Sequence, residues 1–312
     1  MHVFITGGSG LTGPAVISEL IAAGHAVTGL ARSDAAAARL EALGASALGG
    51  SLQDLDSLRA GAEGSDGVIH MAFSADRADP ESRARHDVAA IDALGGVLAG
   101  SDRPLVITSG TLVMPSGRIS AETDAPDPDS AAAHRIPGER AALAFAERGV
   151  RVSVVRLAPT VHGPGDYAGF VPALIEGARK TGVSACIGDG ANRWPAVHRL
   201  DAASLYRLAL ENAPAGTALH AAAERGVTLK SITDRIGHQL GVPSVPMTFE
   251  EASEHFEGAS GHFGTYLATM LAADVPVSSD LARALLGWEP THETLLEDLR
   301  YGDYITPAPS RA

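Results

Sequence analysis

The chain has 312 residues, 45% hydrophobic and 20% charged, with a formal net charge of −13 and a single cysteine, Cys186. That length allows a large core and two lobes, the lone thiol excludes an internal disulfide, and the acidic balance argues against a nucleic-acid surface. No apolar run approaches the roughly 20 residues that a bilayer-spanning helix needs, the N-terminus leaves no room for a signal peptide, and the histidines fall in no strong ligand spacing. The expectation is a cytoplasmic protein with no membrane or nucleic-acid partner and no metal.

The opening stretch, MHVFITGGSGLTGPAVISELIAAG, organises the rest. Val3-Phe4-Ile5 reads as a buried strand, Gly7, Gly10 and Gly13 as a turn, and Val16, Ile17, Leu20 and Ile21 as a helix that Gly24 stops. Strand, glycine turn and helix in this order suit the pyrophosphate of a dinucleotide. A turn without Cβ atoms lets backbone approach the phosphates, and the helix N-terminus presents N–H groups to them.

Strands and helices then alternate. Strands are expected at 25–31, 45–48, 67–72, 104–109 and 151–157, and helices at 33–43, 54–60, 79–98 and 131–147. This rhythm predicts an α/β protein with a Rossmann-type, doubly wound parallel sheet. Beyond Leu157 it changes. APTVHGPGD reads as a glycine-proline loop, followed by a helix at 168–180, a strand at 183–187, a helix at 201–211 and one more core strand at 218–223. Helices are expected at 228–240 and, shorter, near 249–256, 262–273, 279–286 and 292–300. The predicted division is a dinucleotide-binding domain of 1–157 plus about 196–223, a smaller, mostly helical substrate lobe of 158–195 plus 224–304, and a tail of 305–312. Segment 255–264, HFEGASGHFG, reads as flexible enough for a lid.

Six motifs in order resemble the extended short-chain dehydrogenase/reductases, the NAD(P)-dependent epimerase/dehydratase group. TGGSGLTG (6–13) is similar to that family's TGxxGxxG, GSLQD (50–54) to its GDLxD and GVIHMA (67–72) to its fourth-strand element. VRLAPTVHGPGD (155–166) is similar to LRPxxVYGPGD, RWPAVHRLDAASLYRLAL to its R-x-x-x-V-H-V-x-D-x-A segment, and LGWEPTHETLLEDL to its LGWxP ending. The resemblance implies that Gly7, Ser9, Gly10, Leu11 and Gly13 surround the pyrophosphate and that Ser51 and Leu52 lie beside the adenine. Met71, Ala72 and Phe73 would border the ribose and nicotinamide, with Pro159, Thr160 and Val161 near the nicotinamide. It also implies a possible homodimer through the helices at 80–98 and 131–147.

Charge selects the cofactor. NAD is favoured by a carboxylate at the end of the second strand; here that stretch is Gly29-Leu30-Ala31-Arg32-Ser33, with no carboxylate before Asp34. Arg32 offers a forked cation for a 2′-phosphate and Ser33 a hydroxyl, so NADP(H) is expected rather than NAD.

The family's acid is absent. Its Tyr-x-x-x-Lys pair opens the helix before the sixth strand, where this chain reads DSAAAHRIPGERAALAFAERG, with Ala131 at the tyrosine and Arg135 at the lysine. No tyrosine lies between Met71 and Val161. Ser109 and Thr111 are candidates to bind the substrate's polar atom, with Gly110 at the family's own slot. His134, His162, Tyr167 and His198 are candidate proton donors, since an imidazole titrates near neutrality. Arg135 can hold ribose or phosphate but relays protons poorly. Arg193 and Trp194 stand where the family clamps its substrate; a packed tryptophan beside an exposed arginine is the alternative. Two functions follow: an NADP(H)-dependent oxidoreductase acting on a carbonyl, imine or activated alkene of a small molecule, or a redox-silent NADP(H)-binding protein (sensor, scaffold or non-redox isomerase). A nucleotide-sugar epimerase or dehydratase is a further alternative.

Overall fold

The computed structural model describes residues 1–73, 79–260 and 264–305. A seven-stranded sheet runs through its centre. Its strands are β1 (His2–Thr6), β2 (Ala26–Ala31), β3 (Ser46–Gly49), β4 (Gly67–His70), β5 (Pro104–Gly110), β6 (Arg151–Leu157) and β10 (Thr217–Ala221). They pair in the order β10-β6-β5-β4-β1-β2-β3, every pair parallel. Chain order reverses between β1 and β4, which opens a crevice at their carboxyl ends.

Helices α1 (Gly13–Ala22), α2 (Asp34–Ala42) and α7 (Arg199–Asn212) cover one face with Val16, Ile17, Leu20, Leu40, Leu205 and Tyr206. Helices α3 (Leu55–Glu63), α4 (Pro80–Leu98) and α5 (Ile136–Ala144) cover the other with Leu58, Ile91, Leu94 and Ala142. The caps are local chemistry. Ser33, Asp54 and Asp79 each accept a backbone N–H of the first turn they precede, and Pro80 follows Asp79 where its missing N–H does no harm.

The helix expected at 131–147 is broken in three. A 3-10 turn at Ala133–Arg135 leads into α5, which ends in a second 3-10 turn at Phe145–Arg148. Pro137 sits in the first turn of α5 and lacks the N–H that a longer helix would bond there. The 3-10 turn therefore presents His134 and Arg135 at a helix entrance.

A second apolar core gathers Leu174, Ile175, Trp194, Ile236, Phe256, Leu271 and Leu299. It lies among α6 (Phe170–Thr181), α8 (Leu229–Leu240), α9 (Phe249–Ser260), α10 (Gly264–Ala272) and α12 (Leu295–Tyr301). Two small sheets were not expected. One joins β7 (Thr160–His162), β9 (Arg193–His198) and β11 (Glu224–Thr228); the other joins β8 (Ser184–Ile187) and β12 (Ser244–Met247). The glycine-proline stretch thus begins as a strand, and the loop follows it. The lid expected at 255–264 is helical up to Ser260, and 261–263 lie outside the described residues. Helix α11 (Asp280–Leu286) leads to Trp288, which is wholly buried and donates from its indole nitrogen to the Asp201 carbonyl.

Two buried carboxylates are held by charged or backbone donors, and the second of them joins the lobes. Arg156 on β6 makes a two-pronged pair with Glu139, and the Glu122 carboxylate accepts the backbone N–H groups of His220, Leu281 and Ala282. Among the described residues no helix is long and apolar enough to cross a membrane.

Candidate dinucleotide site and reaction centre

A cleft of about 430 Å³ opens at the β1/β4 crevice. The glycine turn forms its floor. Gly7 has φ +76°, and a Cβ there would lie 2.7 Å from the Ala72 nitrogen; a Cβ on Gly13 would lie 2.3 Å from the Gly8 carbonyl oxygen. Backbone from the turn, α1 and the end of β4 therefore meets closely, leaving a cradle without side chains at the N-terminus of α1, as a pyrophosphate requires. Ser9, Gly10, Leu11 and Thr12 complete this wall.

At the outer end, Arg32, Ser33 and Arg39 face the cleft beside Leu30 and Ala36. The Ser33 hydroxyl already caps α2 by accepting the Ala36 N–H at 3.3 Å. Arg32 and Arg39 are exposed, and neither pairs with a carboxylate among the described residues. Arg39 was missed from the sequence; it lies in the last turn of α2, whereas Arg32 precedes that helix. Leu52 lines the cleft next to Gln53, whereas Ser51 is not on its wall.

The inner end is built by Met71, Ala72, Phe73, Thr108 and Leu157. A polar rail fixes Ala72. The Thr6 hydroxyl accepts the Ala72 N–H and meets His70 Nδ1 at 2.8 Å, while His70 Nε2 meets Asp87 at 3.3 Å. With Nε2–H donated to the carboxylate, Nδ1 is the acceptor and the threonine donates. The Phe73 ring is flanked by two guanidiniums, Arg135 at 3.7 Å and Arg83 at 4.4 Å from its centre. Arg135 also donates to the Thr108 carbonyl oxygen. The Thr108 hydroxyl lies 2.6 Å from the hydroxyl of Tyr206, a fully buried residue of α7.

The candidate proton donors do not gather at this end. His134 is nearest, its ring 5.9 Å from that of Phe73. Burial, together with the charges of Arg83 and Arg135, pushes its pKa down to about 4, so it is neutral at pH 7 and no imidazolium donor. His162 is buried off the cleft and bonded through Nδ1 to Asp298 at 2.9 Å. Tyr167 is 83% exposed on a surface loop. His198 is buried at the start of α7, where its Nδ1 accepts the Leu200 N–H, and it stacks on His292 at 4.7 Å. His198, Asp201 and His292 bring possible metal-ligand atoms within 4.8 Å of one another. Yet His198 Nδ1 is occupied by that cap and Asp201 by the Thr291 and His292 N–H groups, so the three serve to fasten the 288–292 loop to α7.

The substrate-side residues also sit apart. Trp194 is 1% exposed, donates to the Ala273 carbonyl and packs edge-on against Phe170 at 4.9 Å. Arg193 is held by Asp274 in a two-pronged pair. Both belong to the packing of the second lobe. Pro159, Thr160 and Val161 are off the wall of the cleft, and Leu157 takes the place expected of them. The Ser109 and Thr111 hydroxyl oxygens are buried off the wall of the cleft with no hydrogen-bond partner among the described residues.

Comparison with known proteins identifies the family and the fold. The model of the NAD dependent epimerase/dehydratase family matches residues 3–222. An uncharacterized protein of Schizosaccharomyces pombe is 45% identical over 307 residues, covering 98% of this chain and 100% of its own. A 4-hydroxy-2-methyl-3-oxo-4-farnesyl-3,4-dihydroquinoline-1-oxide ketoreductase of Stigmatella aurantiaca is 26% identical, covering 96% of each chain. The solved structure of DesIV, a dTDP-glucose 4,6-dehydratase of Streptomyces venezuelae with NAD and TYD bound, superposes with a TM-score of 0.77 at 19% identity, covering 97% of this chain and 96% of its own. The chain belongs to the NAD-dependent epimerase/dehydratase family.

Proposed function

From membership of that family, we propose that the protein is an NADP(H)-dependent oxidoreductase acting on a carbonyl, imine or activated alkene of a small molecule. One observation carries the cofactor assignment. Two guanidiniums, Arg32 at the end of β2 and Arg39 on α2, face the cleft with no carboxylate partner among the described residues, at the end where a carboxylate would select NAD. When bound, the cofactor supplies a hydride. The chain's own residues do the rest. Gly7, Gly10 and Gly13 admit the pyrophosphate, and Leu52 and Gln53 border the adenine end. Met71, Ala72 and Phe73 close an apolar wall that keeps water from the inner end. Arg135, backed by Phe73, supplies a fixed positive charge where oxygen gains negative charge during reduction.

A ketoreductase among the relatives supports the redox assignment by name alone. The nucleotide-sugar enzymes among the solved structures share the fold at identities too low to carry a substrate. A redox-silent NADP(H)-binding protein is the second reading. It is favoured by Ala131 at the position of the family's tyrosine and by the neutral His134.

The test is absorbance at 340 nm with NADPH and a broad panel of carbonyls, imines and enones. Oxidation of NADPH that depends on the added acceptor is expected. Tight NADPH binding with no absorbance loss across the panel would replace the first reading with the second.

A further inference from the structure

The reaction centre has lost its phenol, yet a phenol lies one hydroxyl away. Hydroxyls on the described walls of the cleft belong to Ser9, Thr12, Ser33 and Thr108. Ser9 and Thr12 sit in the glycine turn and Ser33 caps α2, so Thr108 alone faces the inner end beside Phe73 and Leu157. The neighbouring hydroxyls are closed off: Ser109 on β5 is 4% exposed, and its hydroxyl and that of Thr111, in the 3-10 turn that follows, have no open surface. The alternation of a strand explains this. Val106 and Thr108 face α7, while Ile107 faces α4 and α5. Tyr206 comes from α7 on that same face, wholly buried, and among the described residues its hydroxyl partner is Thr108 at 2.6 Å.

We propose that Thr108 and Tyr206 form the proton path that replaces the family's missing tyrosine. Thr108 touches the substrate oxygen, and Tyr206 stands behind it as the proton reserve. This rests on the oxidoreductase reading. In the reducing direction, the hydride that breaks away from NADPH, leaving NADP⁺, would form a C–H bond at the carbonyl carbon as the π pair moves to oxygen. That oxygen takes the Thr108 proton as Thr108 takes the Tyr206 proton. The O–H bonds of Thr108 and Tyr206 break, new ones form on the product and on Thr108, and a phenolate remains on Tyr206. Once product leaves, water in the cleft returns a proton through the same two hydroxyls. Oxidation runs the same path backwards.

The surroundings fit this task. Burial raises the Tyr206 pKa, which keeps the phenol protonated until hydride has made the substrate oxygen strongly basic. The Thr108 bond and the positive charge of Arg135 act in the opposite direction and favour the phenolate once it forms. Arg135 is positioned for this by its bond to the Thr108 carbonyl.

The test compares Thr108→Val and Tyr206→Phe, both near-isosteric, with the parent protein. NADPH oxidation is followed with 9,10-phenanthrenequinone and 4-nitrobenzaldehyde as acceptors, alongside NADPH affinity and melting temperature. General acid catalysis contributes about 10²–10⁴-fold, so kcat is expected to fall at least about 10-fold in Tyr206→Phe and further in Thr108→Val, with affinity and melting temperature preserved. Tyrosine labelled with ¹³C at Cζ gives a readout that needs no turnover. The resonance lost in Tyr206→Phe should shift in Thr108→Val. Retained kcat in both variants, a weaker NADPH affinity with unchanged kcat, or an unmoved Tyr206 resonance would each overturn the proposal. A parent protein that binds NADPH but reduces neither probe nor any member of the wider panel would instead remove the oxidoreductase reading, and the proposal with it.

Discussion

Replacing Arg32 and Arg39 together by alanine tests the basis of cofactor choice. Both guanidiniums are exposed and reach the cleft from the two ends of one turn and helix, Arg32 before α2 and Arg39 in its last turn. A charge-assisted contact to phosphate contributes about 1–2 kcal/mol after discounting for solvent, or about 5- to 30-fold in affinity each. Because the two would share one phosphate, their effects need not add, and the double variant is expected to lose about 30- to 300-fold for NADPH. NADH carries a hydroxyl at that position, so its affinity should change by less than about threefold. Titration of cofactor fluorescence with each dinucleotide measures both numbers. Added salt should weaken NADPH binding by the parent protein, since exposed charges are screened within about 10 Å, and should leave NADH binding nearly unchanged. A double variant that still prefers NADPH would refute the argument that these arginines read the 2′-phosphate.

Four further outcomes follow from the same structure. Gly13→Ala places a Cβ against the Gly8 carbonyl, so the turn must open; dinucleotide affinity should fall by more than about tenfold while the helical circular-dichroism signal is retained. Glu139→Ala leaves Arg156 buried without its carboxylate and should cost about 3–5 kcal/mol in urea unfolding, whereas breaking an exposed pair such as Lys230–Asp234 should leave the unfolding midpoint nearly unchanged. His220 is buried beside Arg156 with its pKa pushed down to about 4. The unfolded chain then binds the extra proton between about pH 6.5 and pH 4, so stability falls as pH is lowered through that window and levels off below it. His220→Gln should flatten this slope in pH-dependent unfolding. Pairing of two copies through α4 and α5 is a further proposal, and light scattering should then give twice 31.9 kDa; a monomeric mass removes it.

Much of the fold was legible because local signals agreed with the global pattern. The alternation of apolar strands with capped helices set the central sheet, and His2–Thr6 and Pro80–Leu98 lie within a residue or two of expectation. What went unseen in the second half has a common cause. β9 and β11 are short and pair across the chain, and β7 lies in a segment whose glycines and prolines signal a loop. Such strands are defined by their partners more than by their own period. Pro137 is the reverse case. It was a readable sign that a helix starts there rather than at 131, and the long alanine-rich run concealed it.

The site divides along the same line. Its cofactor end is nearly contiguous in sequence: the glycine turn, the end of β2 and Met71–Phe73 each stand next to a strand terminus, so family spacing finds them. The reaction end is not contiguous. Thr108 and Tyr206 are 98 residues apart, and their contact depends on α7 crossing β5 on the face opposite α4 and α5. Residue type also misleads there. Histidines drew attention because imidazole suits acid chemistry, yet burial and arginine neighbours keep His134 neutral and Asp298 holds His162 away from the cleft. Tyr206 was not singled out in the sequence; its ring is packed as an apolar position of α7, and its hydroxyl alone meets a polar partner. A tyrosine whose ring is core and whose oxygen meets a cleft-lining threonine carries no signature in a single sequence. The missing phenol at 131 was therefore readable as an absence, while the group placed to compensate for it required three dimensions.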